Sequence, residues 1–184
     1  KGQDVLSSAA VGIATSARRY DRAEDVLRDA MLAVTKAKGE GANHRAVFRT
    51  HMHVEKTRHM SLMAELHNAL QRNQFRVYYM PTVSLATRTV SGFEALVRWY
   101  HPERGVISPD LFIPIAEETG LIVRLGRWVL LQACRQMVEW QTRYQLDPQL
   151  SLSVNLSSKQ FADYDLDDQV ENILEDTGFD PEFL

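Results

Sequence analysis

The stretch "GFEALVRWYHP" (residues 92–102) carries a glutamate and an arginine four positions apart inside an otherwise apolar run. Read as a strand, it points Phe93, Ala95, Val97 and Trp99 one way and Gly92, Glu94, Leu96 and Arg98 the other. The first set suits packing beneath helices. The second puts a carboxylate and a guanidinium on one face, in the C-terminal half of the strand. A later segment, "QLSLSVNLS" (149–157), repeats the alternation, with Leu150, Leu152 and Val154 on one face and Ser151, Ser153 and Asn155 on the other. A carboxylate and an amide oxygen from neighbouring strands form a hard-donor pair suited to Mg²⁺ or Mn²⁺. Arg98 beside them is placed to hold a phosphate through its fork of N–H donors. The competing reading is a Glu94–Arg98 ion pair filling a barrel interior, with Asn155 capping the following turn.

Other clusters carry less chemistry. His44, His51, His53, His59 and His67 fall mostly on one helical stretch, where residues two apart diverge, so they read as a solvated face and not as a metal cluster. Asp163, Asp165, Asp167, Asp168 and Glu171 gather at a helix start, where acidic charge favours the helix dipole. Trp99, Trp128 and Trp140 read as core. The "KAKGEG" run lacks the G-x-x-x-x-G-K spacing of a phosphate loop. Cys134, the only cysteine, permits no internal disulfide and falls in a helical pattern as a small buried apolar residue.

The elements that must position these residues follow from periodicity and punctuation. "AAVGIATS" (9–16) reads as a strand, residues 20–43 as a helix, and "HRAVFRT" (44–50) as a short strand. Asp21 and Glu24 have the spacing of a capping box for that helix. Residues 52–73 lack Gly and Pro and read as a connector helix. "FRVYYMPTVSL" (75–85) and residues 87–99 read as a hairpin, with Pro81 marking an edge or bulged strand. Helices follow at 108–120, with Ser108 as cap and Gly120 as stop, and at 122–144. The strand at 149–157 and a helix at 165–179 complete the pass. From residue 87 the order of strand, two helices, strand and helix opens a parallel βα succession, and its strands are too few to close a (β/α)8 barrel.

Composition sets outer limits. The 184 residues are 45% hydrophobic and 24% charged, as in an ordinary globular protein. A net charge of −3 argues against duplex nucleic acid but leaves room for a single nucleotide ligand held by a few local cations. No apolar run reaches the ~18–20 residues that cross a bilayer. A cytosolic location is expected, with any membrane anchor outside these residues.

The blocks "GFEALVRWYHPERGVISPDLFIPIAEETGLIVRLGRWVLLQACRQMVEW" and "LSVNLSSKQF" closely resemble the first half of an EAL domain, the cyclic diguanylate phosphodiesterase family. The likeness covers roughly residues 62–184 and includes Glu94-Ala95-Leu96, Arg98, "AEETG" and "VNLS". It implies an α/β fold, the first part of a modified (β/α)8 TIM-like barrel whose first strand runs antiparallel. It implies that Glu94 is catalytic and a metal ligand, that Asn155 is a second ligand to Mg²⁺ or Mn²⁺, and that Arg98 contacts phosphate and Leu96 lines the ligand site. It further implies cyclic di-GMP as the ligand, hydrolysed to linear pGpG. Where the family has a Gln-Pro whose glutamine contacts the ligand, this chain has Met80-Pro81, and methionine has no amide to donate. The family's remaining acidic ligands and its lysine belong to strands beyond Leu184, so these residues alone are expected to be inactive.

The segment "VGIATSARRYDRAEDVLRDAMLAVTKAKGEGANHRAVF" is similar to the last strand–helix–strand of a GGDEF domain, the diguanylate cyclase family. Met31, Thr35 and Ala42 replace family residues and Lys38 is retained, which implies a degenerate domain. The expected organisation is therefore 1–49, the C-terminal part of a degenerate GGDEF domain; 50–73, a helical connector; and 74–184, the N-terminal half of an EAL domain. A homodimer through the EAL or connector surfaces is the expected assembly. The alternatives to hydrolysis are a cyclic di-GMP receptor without turnover and a regulatory or dimerisation module.

Overall fold

The computed structural model describes residues 7–145 and 149–184; the expected N-terminal segment begins partly outside these, as do residues 146–148. The chain divides into two compact units, Lys1–Ser61 and Leu62–Leu184. The boundary falls within the sequence span of the helix His51–Ala69.

In the first unit, β1 (Val11–Ile13) and β2 (Arg45–Val47) pair in parallel and are joined by α1 (Ala23–Gly39). Parallel neighbours need a crossover of this kind. Ala33 and Ala37 of α1 pack with Ala46 and with Met52 of the helix α2 (His51–Ala69). The expected Asp21–Glu24 capping box does not form: the helix starts one residue later, Arg22 stands at the N-cap, and no side chain bonds there. Glu24 is instead paired with the Arg22 guanidinium at 3.5 Å.

Asp29 is 1% exposed, an unusual position for a carboxylate. It is held on two sides, by His53 Nε2 at 2.7 Å from Oδ1 and by Arg18 Nη1 at 3.4 Å from Oδ2. The Arg18 guanidinium lies over the Phe48 ring, and the His53 ring meets Phe48 edge-on. His53 is thus docked, contrary to the expectation that the connector histidines are solvated; His51, two residues earlier, is exposed. The cause is the 200° turn between positions two apart on a helix, which faces one histidine inward as it faces the other out.

The second unit is a four-stranded sheet with helices on one face. β3 (Phe75–Val83) pairs antiparallel with β4 (Val90–His101), with Met80 opposite Glu94 and Arg76 opposite Arg98. Pro81 is on an edge strand, and the register shifts between Thr82 and Val83, both as its sequence position implies. The other edge of β4 is shared. β6 (Ser151–Val154) runs parallel along Gly92–Ala95, and β5 (Gly105–Ile107) runs antiparallel along Trp99–His101. The short β5, formed by the chain turning back through the "PERG" loop, has too few residues to announce itself by alternation.

Helices α3 (Pro109–Thr119) and α4 (Leu121–Tyr144) meet at Gly120, whose φ of 76° ends one helix and begins the other without the cost a Cβ would add. Ser108 takes the N-cap position but its hydroxyl turns to Asp110 Oδ2 at 3.4 Å and leaves the backbone uncapped. Trp99, Phe112 and Phe75 form one buried cluster with Leu62, Leu66 and Leu125; Ala95, Leu152, Met137 and Ile173 form a second. The strand parity expected for Ala95, Trp99 and Leu152 is therefore the parity observed. α5 (Ser158–Phe161) and α6 (Leu166–Thr177) follow β6. Among the described residues no strands close into a barrel, and no helix is long and apolar enough to cross a membrane.

Removing His53 takes away the shorter of the two contacts to the buried Asp29 carboxylate and leaves the 3.4 Å contact to Arg18. His53→Ala should therefore destabilise the first unit by about 2–3 kcal/mol, while His51→Ala stays within about 0.5 kcal/mol. Amide hydrogen exchange along α1 and the first turn of α2 reads the difference directly.

Candidate functional site

Strand pairing delivers the site. Glu94 lies in the ladder opposite Met80 on one side and Ser153 on the other. Asn155 follows directly after the last paired residue of β6, Val154, which sits beside Ala95. Continuing that register puts Asn155 level with Leu96 and on the same face as Glu94, and its Nδ2 reaches back diagonally to donate to Glu94 Oε1 at 2.7 Å. The ion pair between Glu94 and Arg98 does not form, and Asn155 caps nothing: the N-cap of α5 is Ser157.

Arg98 is half-buried on the same face as Glu94. Its Nη1 donates to the Val97 carbonyl at 2.8 Å, and its guanidinium lies 5.8 Å from the centre of the Tyr78 ring. Tyr78 and Tyr100 share a hydroxyl–hydroxyl hydrogen bond, and that bond, with burial second, raises the Tyr100 hydroxyl above its usual range. The two tyrosines form an aromatic wall beside the guanidinium that the sequence pattern contains, since Tyr78 shares parity with Met80 and Tyr100 with Arg98. Met80 itself is 51% exposed and presents its thioether next to the carboxylate.

Between the stretches of β4 covered by β6 and by β5, the edge of Leu96–Arg98 is unpaired. A cleft of about 250 Å³ opens there, lined by Leu96, Arg98, Glu117, Asn155 and Gln160 among others. This is slightly under the ~300–1,000 Å³ of clefts that enclose a drug-sized ligand, so it accommodates part of one. Glu94 and Met80 stand beside this cleft in the ladder and do not line it.

The donor set can be tested against a cation. A carboxylate and a side-chain amide are hard oxygen donors of the kind Mg²⁺ and Mn²⁺ take. The amide presents its nitrogen to Glu94, the expected arrangement when no cation competes; a half-turn about χ2 presents Oδ1. No third His, Cys, Asp or Glu joins them among the described residues. Two donors fit in type and leave most of a six-coordinate shell to other ligands.

Residues 63–184 match the EAL domain family. The chain belongs to that family. Along 181 residues, 98% of the chain, it is 38% identical to the bifunctional diguanylate cyclase/cyclic di-GMP phosphodiesterase MucR of Pseudomonas aeruginosa, covering 26% of that protein. It is 36% identical over 96% of its length to the cyclic di-GMP phosphodiesterase PdeR of Escherichia coli, again covering 26%. The chain thus spans about a quarter of the length of these curated relatives. A solved PaMucR phosphodiesterase in complex with c-di-GMP superposes with a TM-score of 0.63 at 43% identity, over 67% of this chain and 49% of that one. The FimX EAL domain of Xanthomonas citri in complex with c-diGMP superposes at 0.59 and 27% identity, over 72% and 50%.

On the helix side of β3 and β4, side chains are withdrawn from solvent. Burial pushes the Cys134 thiol on α4 from 9.0 to about 11. Burial, with a smaller contribution from Cys134, pushes the Tyr79 hydroxyl from 10.0 to about 12. Both groups are raised, so the folded state disfavours their anions and the unfolded chain deprotonates first. Their contribution to stability is whole below about pH 9 and is lost as pH climbs through the raised values. Stability to urea should therefore fall between about pH 9 and 11, and Cys134→Ala should flatten part of that fall. A thiol-specific reagent at about pH 8 should leave native Cys134 unmodified and react once the chain is unfolded.

Proposed function

We propose that the chain is part of an EAL-type phosphodiesterase that hydrolyses cyclic di-GMP to linear pGpG. The observation that carries this reading is the Glu94–Asn155 contact at 2.7 Å across parallel strands, within a chain of the EAL domain family. Glu94 and Asn155 would hold one face of a Mg²⁺ or Mn²⁺ ion, which when bound lowers the pKa of a water and offsets charge building on phosphorus. Arg98 binds a phosphate oxygen through its guanidinium fork, and the Tyr78 ring keeps that fork from folding away. Leu96 lines the cleft against an apolar part of the dinucleotide. Met80, opposite Glu94, contacts the ligand by packing where an amide would hydrogen-bond.

The wider organisation belongs to the same reading. Residues 1–49 form the C-terminal part of a degenerate GGDEF domain, 50–73 a helical connector, and 74–184 the N-terminal half of an EAL domain belonging to a TIM-like barrel. Support comes from the parallel strand–helix–strand unit at the start of the chain and from an alignment to MucR that runs through it. A homodimer through EAL or connector surfaces, working in the cytoplasm, completes the proposal.

Methionine at position 80 favours a second reading, in which the protein binds cyclic di-GMP without turning it over. The two separate cleanly in the complete protein with Mg²⁺ or Mn²⁺. Appearance of pGpG, reduced at least about 100-fold in kcat/KM by Glu94→Ala, supports the enzyme. Micromolar binding with no product selects the receptor, and neither binding nor product overturns both. In either case Met80→Gln should tighten binding about fivefold, the worth of one added hydrogen bond, as read by calorimetry.

A further inference from the structure

Asn155 lies just beyond the last rung of the β4–β6 ladder, so the ladder alone does not fix where its amide points. The turn that follows is ordered by contacts of its own. Ser157 and Gln160 form a reciprocal capping box: Gln160 N donates to Ser157 Oγ at 3.2 Å, and Ser157 N donates to Gln160 Oε1 at 3.2 Å. The helix they start, α5, has only four residues and too few internal bonds to hold itself. Its order must come from outside.

Three observations locate that outside support. Gln160 is 5% exposed, although a capping-box side chain usually lies in solvent. Its carboxamide occupies the space that a Cβ on residue 126 of α4 would fill, so Gly126 is what admits it. Lys159, beside it, donates from Nζ to the Glu117 carbonyl at 2.5 Å, tying the same turn to the end of α3. Gln160 also lines the cleft together with Asn155 and Arg98.

We infer that Gln160, seated in the notch left by Gly126, is a positioning residue that sets the direction of the Asn155 amide toward Glu94. It touches neither Glu94 nor the reacting atoms; it acts through the turn. The catalytic value of that positioning rests on Asn155 and Glu94 facing a cation, as proposed above, while the positioning itself is a property of this chain.

The test uses the complete protein, ¹⁵N-labelled on asparagine side chains, with the Asn155 amide assigned by its loss in Asn155→Asp. In Gln160→Ala that amide should leave its hydrogen-bonded position and exchange with water about tenfold faster. Gly126→Ala, which evicts the glutamine, should do the same. Gln160→Glu, which keeps an oxygen for Ser157 N, should stay close to wild type. The double variant Gly126→Ala/Gln160→Ala relieves the overlap, so a preserved circular dichroism spectrum with a displaced Asn155 amide separates positioning from folding. Ser157→Ala serves as the milder variant if the others unfold, and it too should displace the amide. An Asn155 amide unchanged in Gln160→Ala, or in Ser157→Ala, overturns the inference.

In the complete protein, the Mn²⁺ concentration for half-maximal cyclic di-GMP hydrolysis should rise about tenfold in Gln160→Ala, with the rate at saturating metal within about twofold. A displaced amide with an unchanged metal requirement would keep the positioning role and sink the assignment of Asn155 as a ligand.

Discussion

The parallel register of β4 with β6 decides whether there is a site at all, because side chains alternate with a period of two. A slip of one residue would turn Asn155 toward the helices and Leu152 into solvent. Several features resist that slip. Leu152 and Ala95 are buried together against Met137 and Ile173, so the apolar set has one acceptable side. Gly92 faces Ser151, whose backbone and hydroxyl occupy the space of any Cβ at position 92, and Ser151 Oγ donates to the Ser91 carbonyl at 3.2 Å. A side chain at 92 would wedge the strands apart at the end of the ladder where pairing begins. The Glu94–Asn155 contact at the opposite end depends on this close approach.

The two faces of β4 divide the labour. On the helix side, Trp99, Phe112 and Phe75 pack ring against ring, with Trp99 Nε1 satisfied by Gln74 Oε1 at 3.0 Å. Each such side chain removes about 1.5–3 kcal/mol worth of apolar surface from water, which holds the strand rigidly enough to carry polar groups on its other face. On that other face, among the described residues, Glu94 accepts from Asn155, and Arg98 rests against Tyr78 and donates to the Val97 carbonyl. Groups held in place yet short of partners are what a ligand with charge to share would use.

Much of this was legible in the sequence, and for identifiable reasons. Strand parity separated Glu94, Leu96 and Arg98 from the core set, and "VNLS" set Asn155 at a strand end, because alternation is a local property. The blocks around Glu94-Ala95-Leu96 pointed to the EAL family found by comparison with known proteins. Long-range choices were less visible. That Glu94 binds Asn155 and leaves Arg98 aside depends on which strand lies alongside. That His53 docks on Asp29 depends on how α2 begins relative to α1. Gln160 had a readable signal in the S-x-x-Q spacing, but its burial against Gly126 follows from α4 passing that turn, which no local pattern encodes.

The central claim is that Glu94 and Asn155 jointly face a divalent cation. A crystal structure of the complete protein grown with Mn²⁺ and cyclic di-GMP tests it most directly through the manganese anomalous signal. The account predicts a peak about 2.0–2.2 Å from a Glu94 carboxylate oxygen and from Asn155 Oδ1, with the amide turned over from its present orientation. Bound cyclic di-GMP with no anomalous peak there, and the Asn155 nitrogen still on Glu94, would contradict it.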